Sequence, residues 1–196
     1  MTSLRISVIA AVATLLLAIP QSARAQDNAN EFSAGWRLLH FEGETFTLGW
    51  YADVLRKLTD SLGVVGEVSG QYKTVDETRM VGAFPLSVST DLRIHSFMGG
   101  VRFSARQTPE IEPFGQALFG LVHGSASIEG STTVGDRTFT VDESESDNDA
   151  AFELGGGVNL RVTDNITVRF AGSYFRVIEE DASNAVTFAA GVVFPF

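Results

Sequence analysis

His123-Gly124-Ser125 is the place in this sequence where a base and a nucleophile stand at a workable spacing. Two positions apart on an extended chain, both side chains share a face, as a Ser–His pair needs for nucleophilic catalysis. An acidic third member would have to come from Glu129, on the same parity, or from Glu143 or Glu145 further on. The simpler reading is a rim histidine beside a small residue, with His40 and His95 at comparable positions. A second candidate is the run Asp142-Glu143-Ser144-Glu145-Ser146-Asp147-Asn148-Asp149. Its oxygens are of the kind that hold Ca²⁺, but it lacks the glycine and the spacing of an EF-hand loop. It reads as a solvated, mobile loop. A third group is more dispersed: Arg37, Arg102 and Arg169 against Asp53, Glu67 and Glu153.

That third group becomes a unit only through the elements that carry it. The chain has a persistent period of two, the mark of extended strands. At the C-terminus Val186, Phe188, Ala190, Val192, Phe194 and Phe196 form one face, and Ala185, Thr187, Ala189, Gly191 and Val193 the other. Neither face is polar, which a soluble sandwich would require. Bulky groups toward lipid and small ones toward a crowded interior fit a membrane-spanning barrel. The same alternation runs through Phe32–Leu39, Thr45–Val54, Leu62–Tyr72, Ser96–Phe103, Phe152–Leu160 and Ile166–Tyr174. In the second of these, Phe46, Leu48, Trp50, Ala52 and Val54 are assigned to the lipid face. The segment 113–126 is apolar on both faces, with Gln116 as its polar marker. These make eight strands, an even number, each close to the roughly 9–11 residues that a tilted spanning strand needs.

The connections fall into two classes. Short ones lie at 55–61, 105–112 and 163–165; long polar ones lie at 74–90 and 127–149. Short turns on one side and long loops on the other are what an outer-membrane barrel shows. The fold class expected is therefore all-β, an eight-stranded antiparallel transmembrane β-barrel.

Residues 1–25 read as a secretory signal peptide. Arg5 supplies the positive start, Ile6–Ile19 is apolar but too short to span as a helix, and Ala23-Arg24-Ala25 offers a cleavage site. Residues 26–30 would then be a short tail and 31–196 the barrel. Removing Arg5 and Arg24 takes the formal charge from −10 to −12, which argues against nucleic acid as a partner. The 196 residues contain no cysteine, which excludes a lipoprotein anchor, disulfides and thiolate metal sites. With no phosphate loop and no metal-ligand cluster, neither cofactor nor metal is expected.

On this register all six charges of the dispersed group point inward, three of each sign, where they must pair. An internal network of Arg37, Asp53, Glu67, Arg102, Glu153 and Arg169 is expected, joined by Gln71, Gln116 and Asn159. It would fill the interior, because eight strands enclose little more than their own side chains. Trp36, Trp50, Tyr72 and Tyr174 read as interface anchors.

Several segments carry a family resemblance: Leu48-Gly49-Trp50-Tyr51-Ala52-Asp53, Gly63-Val64-Val65-Gly66-Glu67-Val68, Pro113–Gly120, Gly155-Gly156-Gly157-Val158 and the terminal Val192-Val193-Phe194-Pro195-Phe196. In these the chain resembles the outer membrane protein β-barrel domain family, small eight-stranded barrels similar to the transmembrane domain of outer membrane protein A. The resemblance implies a place in the bacterial outer membrane, with lipid and lipopolysaccharide as surroundings; unlike outer membrane protein A, no peptidoglycan-binding domain is expected after the barrel. It also implies a C-terminal signal, Phe194 and Phe196, read by the barrel-assembly machinery. Pro195 departs from that pattern, tolerably at a strand end. Outer-membrane lipid A deacylases carry a His-x-Ser pair similar to His123 and Ser125, but their wider motif is missing here.

The function expected is a structural or surface-interaction barrel without catalysis, using 74–90 and 127–149 toward an extracellular partner. A narrow channel, or a lipid-modifying enzyme using His123 and Ser125, are the alternatives.

Overall fold

Alternation of large apolar and small or polar side chains leaves a strand only one stable arrangement in lipid: closure on itself, so that no edge stays unpaired. A computed structural model, describing residues 30–41, 43–81, 84–105, 108, 110–134, 137–163, 166–178 and 183–196, has that form. The strands are β1 (Asn30–Phe41), β2 (Glu44–Phe46), β3 (Leu48–Lys57), β4 (Leu62–Val81), β5 (Phe84–Ser104), β6 (Ile111–Val134), β7 (Arg137–Arg161), β8 (Thr167–Ile178) and β9 (Asn184–Pro195). All pairs are antiparallel: β1 pairs with β2, β3 and β9, and from β3 to β9 each strand pairs with the next in the chain. The three-residue β2 prefixes β3, so the ring holds eight strands. The expected signal peptide, and all of the expected tail except Asn30, lie outside the described residues.

The pairing fixes the stagger. Followed one way from Trp36, the ladder passes Trp50, Gly70, His95 and His123 to Asn148 on β7. Followed the other way it passes Ala190 and Phe170 to Val158. Those two residues of β7 lie ten apart, which for eight strands tilts them by roughly 40–45°. At so narrow a radius some inward positions must be glycine. A Cβ on Gly191 would meet the carbonyl carbon of Ala34 at 3.0 Å and overlap the hydroxyl of Tyr51.

The outward set forms an apolar band of Phe97, Val101, Phe119, Leu121, Leu154, Phe170 and Phe188, all exposed. Phe119, 61% exposed on β6, sits near mid-band. Phe119→Arg is expected to cost about 2–4 kcal/mol in a bilayer, measured by urea titration of the vesicle-inserted protein.

Two expectations are corrected. Phe46 does not face lipid; it is 3% exposed and packs inside. The reason is a bulge. Leu39 pairs with Phe46 but Trp36 with Trp50, so Thr47, Leu48 and Gly49 oppose only Arg37 and Leu38. The extra residue reverses the parity, and the freed carbonyl of Thr47 accepts from Trp36 Nε1 at 2.7 Å. The second correction concerns 74–90 and 127–149, which are not loops. The β4–β5 ladder continues to Val81 and Phe84, and the β6–β7 ladder to Val134 and Arg137. The acidic run 142–149 is thus part of β7, not a solvated loop. Since β5 also pairs with β6 as far as Leu86 and Thr132, the four strands form one sheet rising from the barrel wall. Polar side chains continue the strands because no lipid faces this stretch. Ser89 Oγ donates to Asp76 at 2.7 Å and Thr74 Oγ1 to Asp91 at 2.5 Å across the ladder. The short turn between β1 and β2 places Gly43 at φ 85°, a left-handed conformation that glycine adopts without a Cβ clash.

Candidate functional site

Inward parity on six strands brings the predicted charges together in the lower lumen, toward the short-turn end. They form two triads of opposite composition. In one, Arg37 on β1 stands between two carboxylates: it pairs with Glu67 on β4 and reaches Glu153 Oε2 on β7 at 2.5 Å. In the other, Asp53 on β3 stands between two guanidiniums. Arg102 approaches its Oδ2 at 3.1 Å and Arg169 the same oxygen at 2.8 Å. Arg102 and Arg169 are each 1% exposed. Charges so deep are tolerable only with every partner in place.

Neutral groups add to the coordination, although Arg37 Nε and Arg169 Nη2 make no hydrogen bond among the described residues. Gln116 Oε1 accepts from Arg102 Nε at 2.9 Å and Nη2 at 2.7 Å. Asn159 Oδ1 accepts from Arg169 Nε at 2.9 Å. Gln71 stands apart from the charges: its amide donates to Ser69, which bonds Ser96 at 2.7 Å.

Sequence reasoning missed four members. Ser33 Oγ accepts from Arg169 at 2.9 Å. The ring of Phe114 lies 4.9 Å from the Arg102 guanidinium and 5.1 Å from that of Arg169, a cation–π contact on each. Glu31 pairs with Lys57 at 2.5 Å and lies 3.6 Å from Arg169 Nη2, carrying the chain of charges to the barrel mouth. Tyr51 is buried beside the network with its hydroxyl unpartnered among the described residues. For Glu31 and Ser33 the signal was available, since both share the parity of Arg37.

Above this polar tier lies an apolar one. Leu39, Phe46, Met98, Val122, Phe175 and Val177 lie toward the long-hairpin end in a buried apolar cluster that also takes in Leu55, Val65 and Leu118 beside the charges. The cavity among the charges measures about 20 Å³, room for about one water molecule.

On the outside, the polar tips of the interface aromatics are bonded. Trp50 Nε1 donates to Tyr72 Oη at 3.2 Å, and that hydroxyl lies 3.2 Å from His95 Nε2. Tyr174 Oη donates to Asn184 at 2.5 Å. His95 pairs across the ladder with His123, whose Nδ1 lies 3.0 Å from Asn148 Oδ1. His123 and Ser125 share this outward face. Glu129 lies four residues beyond Ser125, roughly 13 Å along a strand, and Glu143 and Glu145 take the opposite parity, so none is placed as a third catalytic member. At the long-hairpin rim Lys73 hydrogen-bonds Glu44; that bond, with the ammonium charge, holds the exposed Glu44 carboxyl below its usual range. Phe194 and Phe196 are exposed at the end of β9, where the Phe196 amide donates to the Asn30 carbonyl at 3.0 Å.

Solved structures share this architecture at low identity. Ail, the attachment invasion locus protein of Yersinia pestis, solved with the heparin analogue sucrose octasulfate, superposes with a TM-score of 0.55 at 17% identity, covering 85% of this chain and 97% of Ail. Neisserial surface protein A gives 0.54 at 12% identity, covering 85% and 96%. A major outer membrane protein of Thermus thermophilus gives 0.53 at 14% identity, covering 86% and 100%. No curated protein matches the sequence significantly. The model of the outer membrane protein β-barrel domain matches residues 9–196. The chain therefore belongs to the outer membrane protein β-barrel domain family and resides in the bacterial outer membrane.

Proposed function

We propose that this barrel is a non-conducting, non-catalytic anchor for its surface sheet, and that the sheet docks a cationic, amphipathic extracellular partner. The observation that carries the reading is the unbroken continuation of β4–β7 beyond the ring. On the face continuous with the lumen, Val75, Thr90 and Ile128 form one row across the ladders, with Leu92 one step toward the barrel. Beside it, β7 presents Glu143, Glu145, Asp147 and Asp149 at alternate positions, roughly 7 Å apart. Beyond Ala150 this edge of β7 has no neighbouring strand among the described residues. Carboxylates on a free edge resist self-pairing and favour an oppositely charged segment laid alongside. Ail was solved with a polysulfated ligand; the sign of charge on this sheet points to a different class of partner.

In this reading the long hairpins face the exterior and the short turns the periplasm, with lipopolysaccharide around the outer rim. Residues 1–25 are removed on export, and Phe194 and Phe196 are recognised by the barrel-assembly machinery. The two-tier filling of the lumen supports an anchor over a channel.

The test uses the full chain in lipid vesicles and a synthetic peptide alternating Lys and Val. Binding is expected to weaken at least about tenfold when Glu143, Glu145, Asp147 and Asp149 are replaced by their amides, and to fall steeply with salt. Equal binding by both forms would refute the docking role. Stepwise conductance in planar bilayers would refute the closed lumen, and altered lipid A that depends on Ser125 would restore the enzyme.

A further inference from the structure

The outward surface where β4, β5 and β6 leave the apolar band carries a cation that the barrel itself does not use. Arg93 on β5 is exposed and makes no hydrogen bond or ion pair with the described residues. Every lumen arginine, by contrast, is held by carboxylates. Across the ladders Arg93 stands between Tyr72 and Ser125. One step toward the membrane, on the same face, lie His95 and His123. His95 is tied to Tyr72, and His123 is held by Asn148. One step further come the exposed Phe97 and Leu121. On the side away from the membrane the next charge on β5 is Asp91, already accepting from Thr74.

This order has a consequence for depth. An arginine just outside an aromatic and histidine row lays its stem along the band and holds its guanidinium at headgroup height. Beside it on the ladders stand groups able to serve an anion: its own planar guanidinium, suited to phosphate oxygens, the hydroxyl of Ser125 and, one step toward the membrane, the imidazoles of His95 and His123, while the Tyr72 hydroxyl is already held between Trp50 and His95. We propose that Arg93, with Ser125, His95 and His123, binds the phosphate of an outer-leaflet glycolipid, the phosphorylated glucosamine headgroup of lipid A. The lipid is the source because the site opens onto the apolar band, where the acyl chains of the same molecule lie against Phe97 and Leu121. The site rests on the reading that turns the long hairpins to the exterior, but it is on the face opposite the acidic row of β7 and so is independent of the docking role.

The experiment uses the full chain in detergent micelles, with native mass spectrometry to follow binding of diphosphorylated lipid A, dephosphorylated lipid A and inorganic phosphate. The unaltered protein is expected to prefer the diphosphorylated lipid. R93Q is expected to weaken that binding about fivefold while leaving the dephosphorylated lipid unaffected, and R93K to retain it. Heat-modifiable migration in gels verifies that each variant is folded. Equal affinity of R93Q and the unaltered protein for diphosphorylated lipid A overturns the proposal. So does equal binding of the dephosphorylated lipid, which would leave only acyl-chain contact. Inorganic phosphate displacing the lipid at comparable concentration would show an adventitious ion only. The amide variant of the four β7 carboxylates is expected to bind the lipid normally, which separates failure here from failure of the surface-sheet role.

Discussion

Arg37→Leu is expected to destabilise the barrel by about 3–5 kcal/mol, the cost of stranding buried charges without their partner. Removing this guanidinium leaves Glu67 and Glu153, each nearly inaccessible to solvent, facing one another across the lumen. No other cation among the described residues is positioned to replace it, because Arg102 and Arg169 are committed to Asp53. The check is urea unfolding in lipid vesicles, read by the shift between folded and unfolded bands in gels. Adding Glu67→Gln and Glu153→Gln to Arg37→Leu is expected to restore most of the loss, because the unpaired charge goes with the carboxylates. If Arg37→Leu alone unfolds at the same urea concentration as the unaltered protein, the triad contributes nothing and the lumen is wetter than its packing implies.

Phe175→Ala should cost a similar amount, about 3–5 kcal/mol, for a different reason. The ring belongs to the apolar tier, packed with Leu39, Phe46 and Val177, and truncation leaves a cavity that a rigid wall of paired strands cannot collapse to fill. Urea titration gives the loss; its midpoint should fall while the slope stays constant, since the same surface is exposed on unfolding. Bilayer recordings of this variant are expected to remain silent, because the Arg37 triad still closes the lumen beneath. Conductance in Phe175→Ala would assign the closure to the apolar tier alone.

How much of this was legible follows from which properties are local. Parity is local: Arg37, Asp53 and Glu67 each alternate with lipid-facing neighbours, so their inward direction could be read strand by strand. Partnership is not local. Arg37 meets Glu67 and Glu153 on strands that do not adjoin β1, a meeting fixed by the stagger of the closed ring, which no single strand encodes. Phe46 was misassigned because Thr47 inserts one residue and inverts the parity, and nothing in Thr45-Phe46-Thr47 announces a bulge. The apolar tier is harder to read than the charges, although Leu39, Val122 and Phe175 share their parity, because an apolar residue pointing inward looks the same in sequence as one pointing at lipid. The segments 74–90 and 127–149 looked like loops because hydrophobic alternation, the signal of a strand in lipid, has no reason to persist above it. Their β-branched content (Thr74, Val75, Val88, Thr90, Thr132, Thr133, Val134) was the remaining cue.

The ladder between β6 and β7 crosses the membrane boundary without a break, and it has a mechanical meaning. A loop would let the exposed part swivel; twisted, hydrogen-bonded ribbons among four strands do not. The stretch of β7 from Asp149 to Arg137 is roughly 40 Å long at the usual rise per residue. Leaning at the tilt inherited from the barrel wall, its tip stands roughly 30 Å above the rim. Whatever touches the tip meets a stiff lever whose angle is set inside the bilayer, and a sideways pull there arrives as shear on the same strand that carries Glu153.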